Sequence, residues 1–230
     1  MIRSTRFFLK LYRNIGYELM ALFRCYQELI HPFLFLGIII ILFPLGITCD
    51  PLLLKKISAG IFWVIILFLV LLMLDQLFRN DWKEGALEQL ILLPQQLTLL
   101  VFVKLFVFWL VISVSLLIMV PILSISLFIP VVALKTLYLT ILLGTPTLIF
   151  LGGIARTLTL GLHQSSLLVI LIIIPFYIPV LIFACSAIHL TSMGLPMKGA
   201  LAWLGVLMIL SVSLSPFIIS KLLRSGIVFS

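Results

Sequence analysis

Apolar residues in this chain fall in long, nearly unbroken runs, and six of them reach the length that a bilayer demands. A helix rises 1.5 Å per residue, so about 20 consecutive apolar residues cross a hydrocarbon core of about 30 Å. The qualifying runs are Ile30–Thr48, Ile57–Phe78, Thr98–Val120, Leu137–Ala155, Leu167–Ala187 and Leu201–Ser220. They predict an all-α membrane protein with six transmembrane helices. The stretch Pro121–Pro130 is also apolar, but prolines bound it and it is too short to span. It is expected to lie at, or re-enter, the outer interface. Arg156 interrupts the sequence LGGIARTLTLGL, which places the inner end of the fourth span near Ala155.

Composition agrees with the pattern. Hydrophobic residues make up 64% of the 230 and charged residues only 10%, with a mean hydropathy of +1.40. Soluble domains hold about 45–50% apolar and about 25% charged residues, so this chain has too little polar surface to coat a water-soluble globule. The net charge of +8 forms no dense basic patch interleaved with aromatics, so nucleic acid is not an expected partner. The basic residues instead set topology. With the N-terminus inside, ten fall on the cytoplasmic side and only Lys55, Lys56, Lys135 and Lys198 in outer loops. That bias predicts cytoplasmic termini. No repeat or flexible linker divides the sequence, so residues 1–230 are expected to form one membrane domain.

Two short segments outside the spans are amphipathic. Within residues 1–29, Arg3, Arg6, Lys10, Arg13 and Arg24 fall in an arc of about 80° on a helical wheel, opposite Phe8, Leu11, Ile15, Leu19, Leu22, Phe23 and Tyr26. Such a helix lies in the membrane plane and binds lipid. It serves either as a connector that senses movement of the first span or as a passive anchor. The second segment, residues 79–97, belongs to the only dense cluster of charge, DQLFRNDWKEGALE. Asp81, Glu84 and Glu88 fall within about 60° of one another, while Trp82 lies on the apolar half of the wheel. Arg79 and Lys83 also lie on the apolar side, where their stems cover the headgroup boundary. A short helix with lipid on one face and acids on the other suits docking to a soluble partner, and Pro94 would end it.

The chemistry of an enzyme is missing. There is no GxxxxGK[ST] phosphate loop, no GxSxG and no HExxH, so ATP hydrolysis, if used, is expected in a separate subunit. Cys25, Cys49 and Cys185 show no CxxC spacing; Cys49 and Cys185 both fall near the outer face, where they either meet or stay as free, small apolar residues. His31, His163 and His189 are scattered, and each suits either a haem or metal ligand or a polar helix cap.

Inside the fifth span, Pro175 and Pro179 bracket Phe176, Tyr177 and Ile178. Two missing N–H groups within about one turn free the carbonyls near Leu171 and Pro175, which predicts a kink or local unwinding. Unsatisfied backbone cannot face hydrocarbon. Phe176, Tyr177 and Ile178 are therefore expected to face the subunit interior or a partner, with the Tyr177 hydroxyl donating to one orphan carbonyl.

Three stretches in order, NDWKEGALEQLILLP, LLGTPTLIFLGGIARTLTLGL and IIPFYIPVLIF, resemble the haem exporter protein B (CcmB) family over nearly the whole length. The resemblance implies an ABC-2 type permease of the bacterial inner membrane, driven by a separate ATP-binding subunit. It also implies a haem-handling membrane protein and a periplasmic haem chaperone as partners. Haem would be the transported species or would be held by a partner, since such a complex either carries haem or releases the loaded chaperone. The alternatives are an ABC-2 permease for a drug, lipid or glycan, or a membrane scaffold without ATP coupling.

Overall fold

The computed structural model describes residues 34–39, 42, 46, 51–74, 77, 97–159 and 165–225. Five long helices fill these ranges: α1, Pro51–Leu74; α2, Leu97–Ser126; α3, Val131–Leu158; α4, Ser165–Ser192; and α5, Lys198–Arg224. Each is long and apolar enough to cross a membrane, and no strand occurs among the described residues. Residues 34–39 are also helical, within the first expected span, and Leu36 packs into the common core. The interfacial segment 1–29, Asp75 and all of segment 79–97 except Leu97 lie outside the described residues.

Every described long helix begins ahead of the apolar run that announced it. Lys55, Lys56, Lys135 and Lys198, expected in outer loops, occupy helical positions near the starts of α1, α3 and α5. A helix has no reason to stop where hydrocarbon stops, because Lys, Ser and Thr remain helical in the headgroup layer. Two boundaries need larger corrections. The stretch from Pro121 does not re-enter the membrane: α2 continues through Pro121 to Ser126. The chain then reverses through Leu127–Ile129 and Pro130 caps α3. The Ile129 N–H donates to the Ser124 carbonyl (2.9 Å) across Phe128, whose φ is +52°, a Schellman stop with a residue in the left-handed region. The α4–α5 turn repeats the device with Gly194 at φ +73° and Leu195 N–H on the Leu190 carbonyl (2.9 Å). At the other boundary, α3 does not end before Arg156. It runs to Leu158 with Arg156 buried in its last turn, where a cation complements the helix dipole.

The bundle is organised around α3, which packs against α1, α2, α4 and α5. In lipid there is no hydrophobic force between helices, so association depends on close packing, and small residues allow it. Gly144 lies under the Trp63 ring of α1. A Cβ on Gly152 would run into Leu74 and sit 2.6 Å from the Tyr177 hydroxyl of α4. One on Gly153 would come within 2.8 Å of Leu105 on α2 and 3.2 Å of Ile219 on α5. Three glycines thus admit side chains from four neighbours.

Gly152→Ala should therefore destabilise the subunit by about 1–3 kcal/mol, the usual cost of overpacking. Gly205→Ala, which adds a Cβ into open space on α5, should be neutral or stabilise by up to about 1 kcal/mol through helix propensity. Thermal unfolding of both variants in detergent checks the difference.

Candidate functional site

Threonines and serines fix the helices around α3. The Trp109 indole N–H donates to Thr145 Oγ (3.1 Å), and Ser113 Oγ lies 3.0 Å from the same oxygen. Thr145 spends its own proton on the Ile141 carbonyl (2.7 Å). An indole can only donate, so Ser113 must be the second donor and both Thr145 lone pairs are used. This triad ties α2 to α3 at depth. Thr98 donates to Ser220 (3.0 Å) between α2 and α5. Thr136, Thr191 and the Met197 sulfur join α3, α4 and the α4–α5 turn.

Helix α4 remains continuous through Pro175 and Pro179, so the expected local unwinding does not occur. Tyr177 is wholly buried and its hydroxyl donates to the Leu148 carbonyl of α3 at 2.6 Å. The expectation of an inward Tyr177 with a carbonyl partner holds, but the partner is on the facing helix and is not one of the carbonyls freed by the prolines. A rigid phenol carries its oxygen outward from its own helix axis, beyond reach of that helix's backbone. Of the two expected placements, the buried interior holds for Tyr177 alone; Phe176 and Ile178 are 60% and 47% exposed. Consecutive residues are 100° apart, so three in a row cannot share one face.

The prolines line a groove of about 420 Å³ between α3, α4 and α5. Its walls include Leu151, Ile154 and Ala155 from α3, Pro175, Phe176 and Pro179 from α4, and Leu207, Ser211, Leu214 and Ser215 from α5. The hollow arises where small Ala155, Ser211 and Ser215 meet two prolines. Ser211 donates to the Met208 carbonyl (2.9 Å). Ser215 is fully buried, and its hydroxyl has no partner among the described residues. The groove is thus almost wholly apolar with one unspent hydroxyl. The pair Ser211 and Ser215, four residues apart in SVSLS, was a readable signal that the sequence reading passed over.

A second cavity, of about 400 Å³, opens at the end of the bundle where α1 begins and α4 finishes. Lys56, Ile57, Ala59 and Gly60 face Cys185, Ser186 and His189 across it. Cys185 is a free thiol that donates to the Ala59 carbonyl (3.5 Å). No group of three His, Cys, Asp or Glu residues that could hold a metal ion occurs among the described residues. The expected coupling residues Arg79, Asp81, Trp82, Glu84 and Glu88 lie outside the described residues.

An all-α bundle of this kind fits many permeases, so lineage decides among them. The family model described as CcmB protein matches residues 9–226. The chain belongs to the CcmB family. Heme exporter protein B of Pseudomonas aeruginosa is 41% identical over 210 residues, covering 91% of this chain and 94% of that protein. The Escherichia coli K12 protein of the same name is 42% identical over 216 residues, covering 94% and 98%. The Paracoccus denitrificans one is 34% identical over 190 residues, covering 83% and 87%. CcmB membership and the five long apolar helices make this chain a multi-pass membrane protein.

Tyr177→Phe removes one interhelical hydrogen bond and should cost about 1 kcal/mol, in line with such bonds inside membranes. Thr145→Val strips the acceptor from two donors, buried Ser113 and half-buried Trp109, and should cost more, about 1–3 kcal/mol. Unfolding midpoints in one detergent should rank wild type above Tyr177→Phe and Tyr177→Phe above Thr145→Val.

Proposed function

We propose that this chain is the membrane permease subunit of an ABC transporter that serves haem export in cytochrome c biogenesis. The observation that carries this reading is near full-length similarity to proteins named Heme exporter protein B. ATP is hydrolysed by a separate ATP-binding subunit, in keeping with a sequence that has no phosphate loop. The further partners are a haem-handling membrane protein and a periplasmic haem chaperone. The chain sits in the bacterial inner membrane with both termini cytoplasmic, as the distribution of basic residues favours.

Coupling in this reading runs through segment 79–97. Asp81, Glu84 and Glu88 present a shared acidic face to the ATP-binding subunit, while Arg79 and Trp82 hold the segment at the lipid boundary. Reversal of the three acids to Lys should abolish co-purification of the ATP-binding subunit while membrane insertion continues. A pull-down that recovers normal amounts of that subunit with the triple variant would remove the acidic face from the mechanism.

Movement in this reading runs through α4. Pro175 and Pro179 weaken the helix on its groove side, whereas Tyr177 clamps the opposite side to α3. Replacement of both prolines by Ala should restore two backbone hydrogen bonds, preserve or raise the unfolding midpoint, and impair cytochrome c assembly in cells. Wild-type assembly by the double variant would reduce the prolines to a packing role.

A further inference from the structure

The α2–α3 turn stands further out than the rest of its end of the bundle. Thr136 in α3 bonds to Thr191 of α4 and to the Met197 sulfur beside the start of α5, so those three points are level. Val131 lies five residues before Thr136 on α3, which carries the turn about 7–8 Å beyond that level. Every exposed residue from Pro121 to Val132 is apolar. Ile125, Val131 and Val132 are 77%, 80% and 72% exposed, and Phe128 is 50% exposed. No charged residue occurs between Lys104 and Lys135.

Phe128 is also strained. Its φ of +52° lies in the left-handed region, which a bulky side chain avoids. Gly194 fills the same place in the α4–α5 turn without that cost. An aromatic ring is thus held at the tip where a glycine would close the turn more easily.

What covers the tip is decided by the cations below it. Lys135 and Lys198 flank the Thr136–Met197 contact, and both are exposed. Each stands within the first two turns of a helix that starts at this end. Side chains on a helix lean toward its N-terminus, so these lysines lean outward along the bundle. A Lys stem lies along apolar surface and extends its ammonium about one turn toward water. The two ammoniums therefore reach the level of Val131 and Val132, and a layer of phosphates that meets them is level with the tip. Tyr138 and Trp203, both exposed, follow three residues after Lys135 and five after Lys198, where aromatic rings border the headgroups. No Asp or Glu occurs among the described residues, so none of those offers the lysines a carboxylate. The headgroup layer supplies the anions, and the acyl region beneath it supplies apolar cover for the tip.

We infer that the α2–α3 turn is a phospholipid-binding surface: Ile125, Phe128, Val131 and Val132 insert beneath the phosphates of the leaflet on that side, and Lys135 and Lys198 hold those phosphates. The tip fixes the height of the bundle in that leaflet. Because Val131 and Val132 begin the hub helix, lipid packing around the tip acts directly on α3. This surface does not depend on what the protein carries.

A nitroxide label reports the depth of its residue in a bilayer, because oxygen collects in hydrocarbon and a nickel chelate stays in water. The test uses the full-length chain with Cys25, Cys49 and Cys185 replaced by Ser. Each protein is labelled at one introduced cysteine and placed in nanodiscs of phosphatidylglycerol and phosphatidylethanolamine. Val114→Cys, half-exposed in the middle of α2, is the hydrocarbon reference, and Ser225→Cys, beyond the end of α5, is the water reference. Val131→Cys and Ile125→Cys should lose collisions with the chelate and keep those with oxygen, as Val114→Cys does. Chelate collisions at both positions as frequent as at Ser225→Cys overturn the insertion and mark the tip as a knob for a soluble protein. Lys135→Glu with Lys198→Glu sets carboxylates against the phosphates and should return chelate collisions to Val131→Cys, whereas Lys221→Glu at the opposite end should not. Lys135→Gln with Lys198→Gln, a milder change, should shift the label the same way by less. An unchanged depth at Val131→Cys in both double variants overturns the role given to the two lysines. The first comparison keeps both lysines, so a folding defect in a double variant leaves it intact.

Discussion

Close approach to α3 is the condition on which the rest of the bundle depends. Lipid tails are as apolar as leucine, so nothing equivalent to the hydrophobic effect gathers these helices. What remains is contact, and contact requires that one helix lack bulk where the others bring it. Helix α3 supplies Gly144, Gly152 and Gly153, and the large side chains that fill the vacated space come from different partners: Trp63 and Leu74 from α1, Leu105 from α2, Tyr177 from α4 and Ile219 from α5. The buried threonines of α3 add polarity without bulk and bond to their own carbonyls, as Thr145, Thr147 and Thr157 do. A helix with this composition is the least apolar of the five described spans and a good hub by shape.

The two faces of α4 are consequently unlike. On one side, Tyr177 reaches a backbone carbonyl of the hub; on the other, Pro175 and Pro179 border a hollow floored by small residues. A helix fixed along one edge and weakened along the other bends about the fixed edge. In the movement proposed for α4, the hydrogen bond from Tyr177 is the pivot and the groove is the volume that changes. The unspent hydroxyl of Ser215 lies at that hollow.

Much of this was legible in the sequence because run length alone decides whether a helix can span. The positions of α1 to α5 followed from apolar runs, and the inward turn of Tyr177 followed from the need to hide polar groups from hydrocarbon. Boundaries were harder. Pro121 looked like a terminator, yet a proline inside a membrane helix is tolerated when neighbours shield the freed carbonyl. Arg156 looked like an edge because a charge is costly in lipid, but its side chain is buried in protein. The cavity residues Lys56 and His189 were invisible as a pair, since they stand on helices separated in sequence by most of the chain and no spacing rule joins them. The Thr145 triad was hidden for the same reason. Segment 79–97 had the clearest amphipathic pattern in the sequence outside the spans.

The length of α2 has a consequence for the membrane itself. Lys104 is its only charge, and from there to Ser126 the helix is uncharged over about 33 Å at 1.5 Å per residue. The usual hydrocarbon thickness is about 30 Å, and a helix that exceeds it either leans or forces the surrounding leaflets to stretch. Ile122, Ile125 and Phe128 are all at least half exposed at that far tip, so water cannot simply be allowed to cover it. Because the Thr145 triad binds α2 to α3 and Thr98 binds it to Ser220 of α5, α2 cannot lean alone. Acyl-chain length therefore becomes a mechanical variable for the whole subunit: thinner bilayers tip it further, and thicker ones let it stand upright.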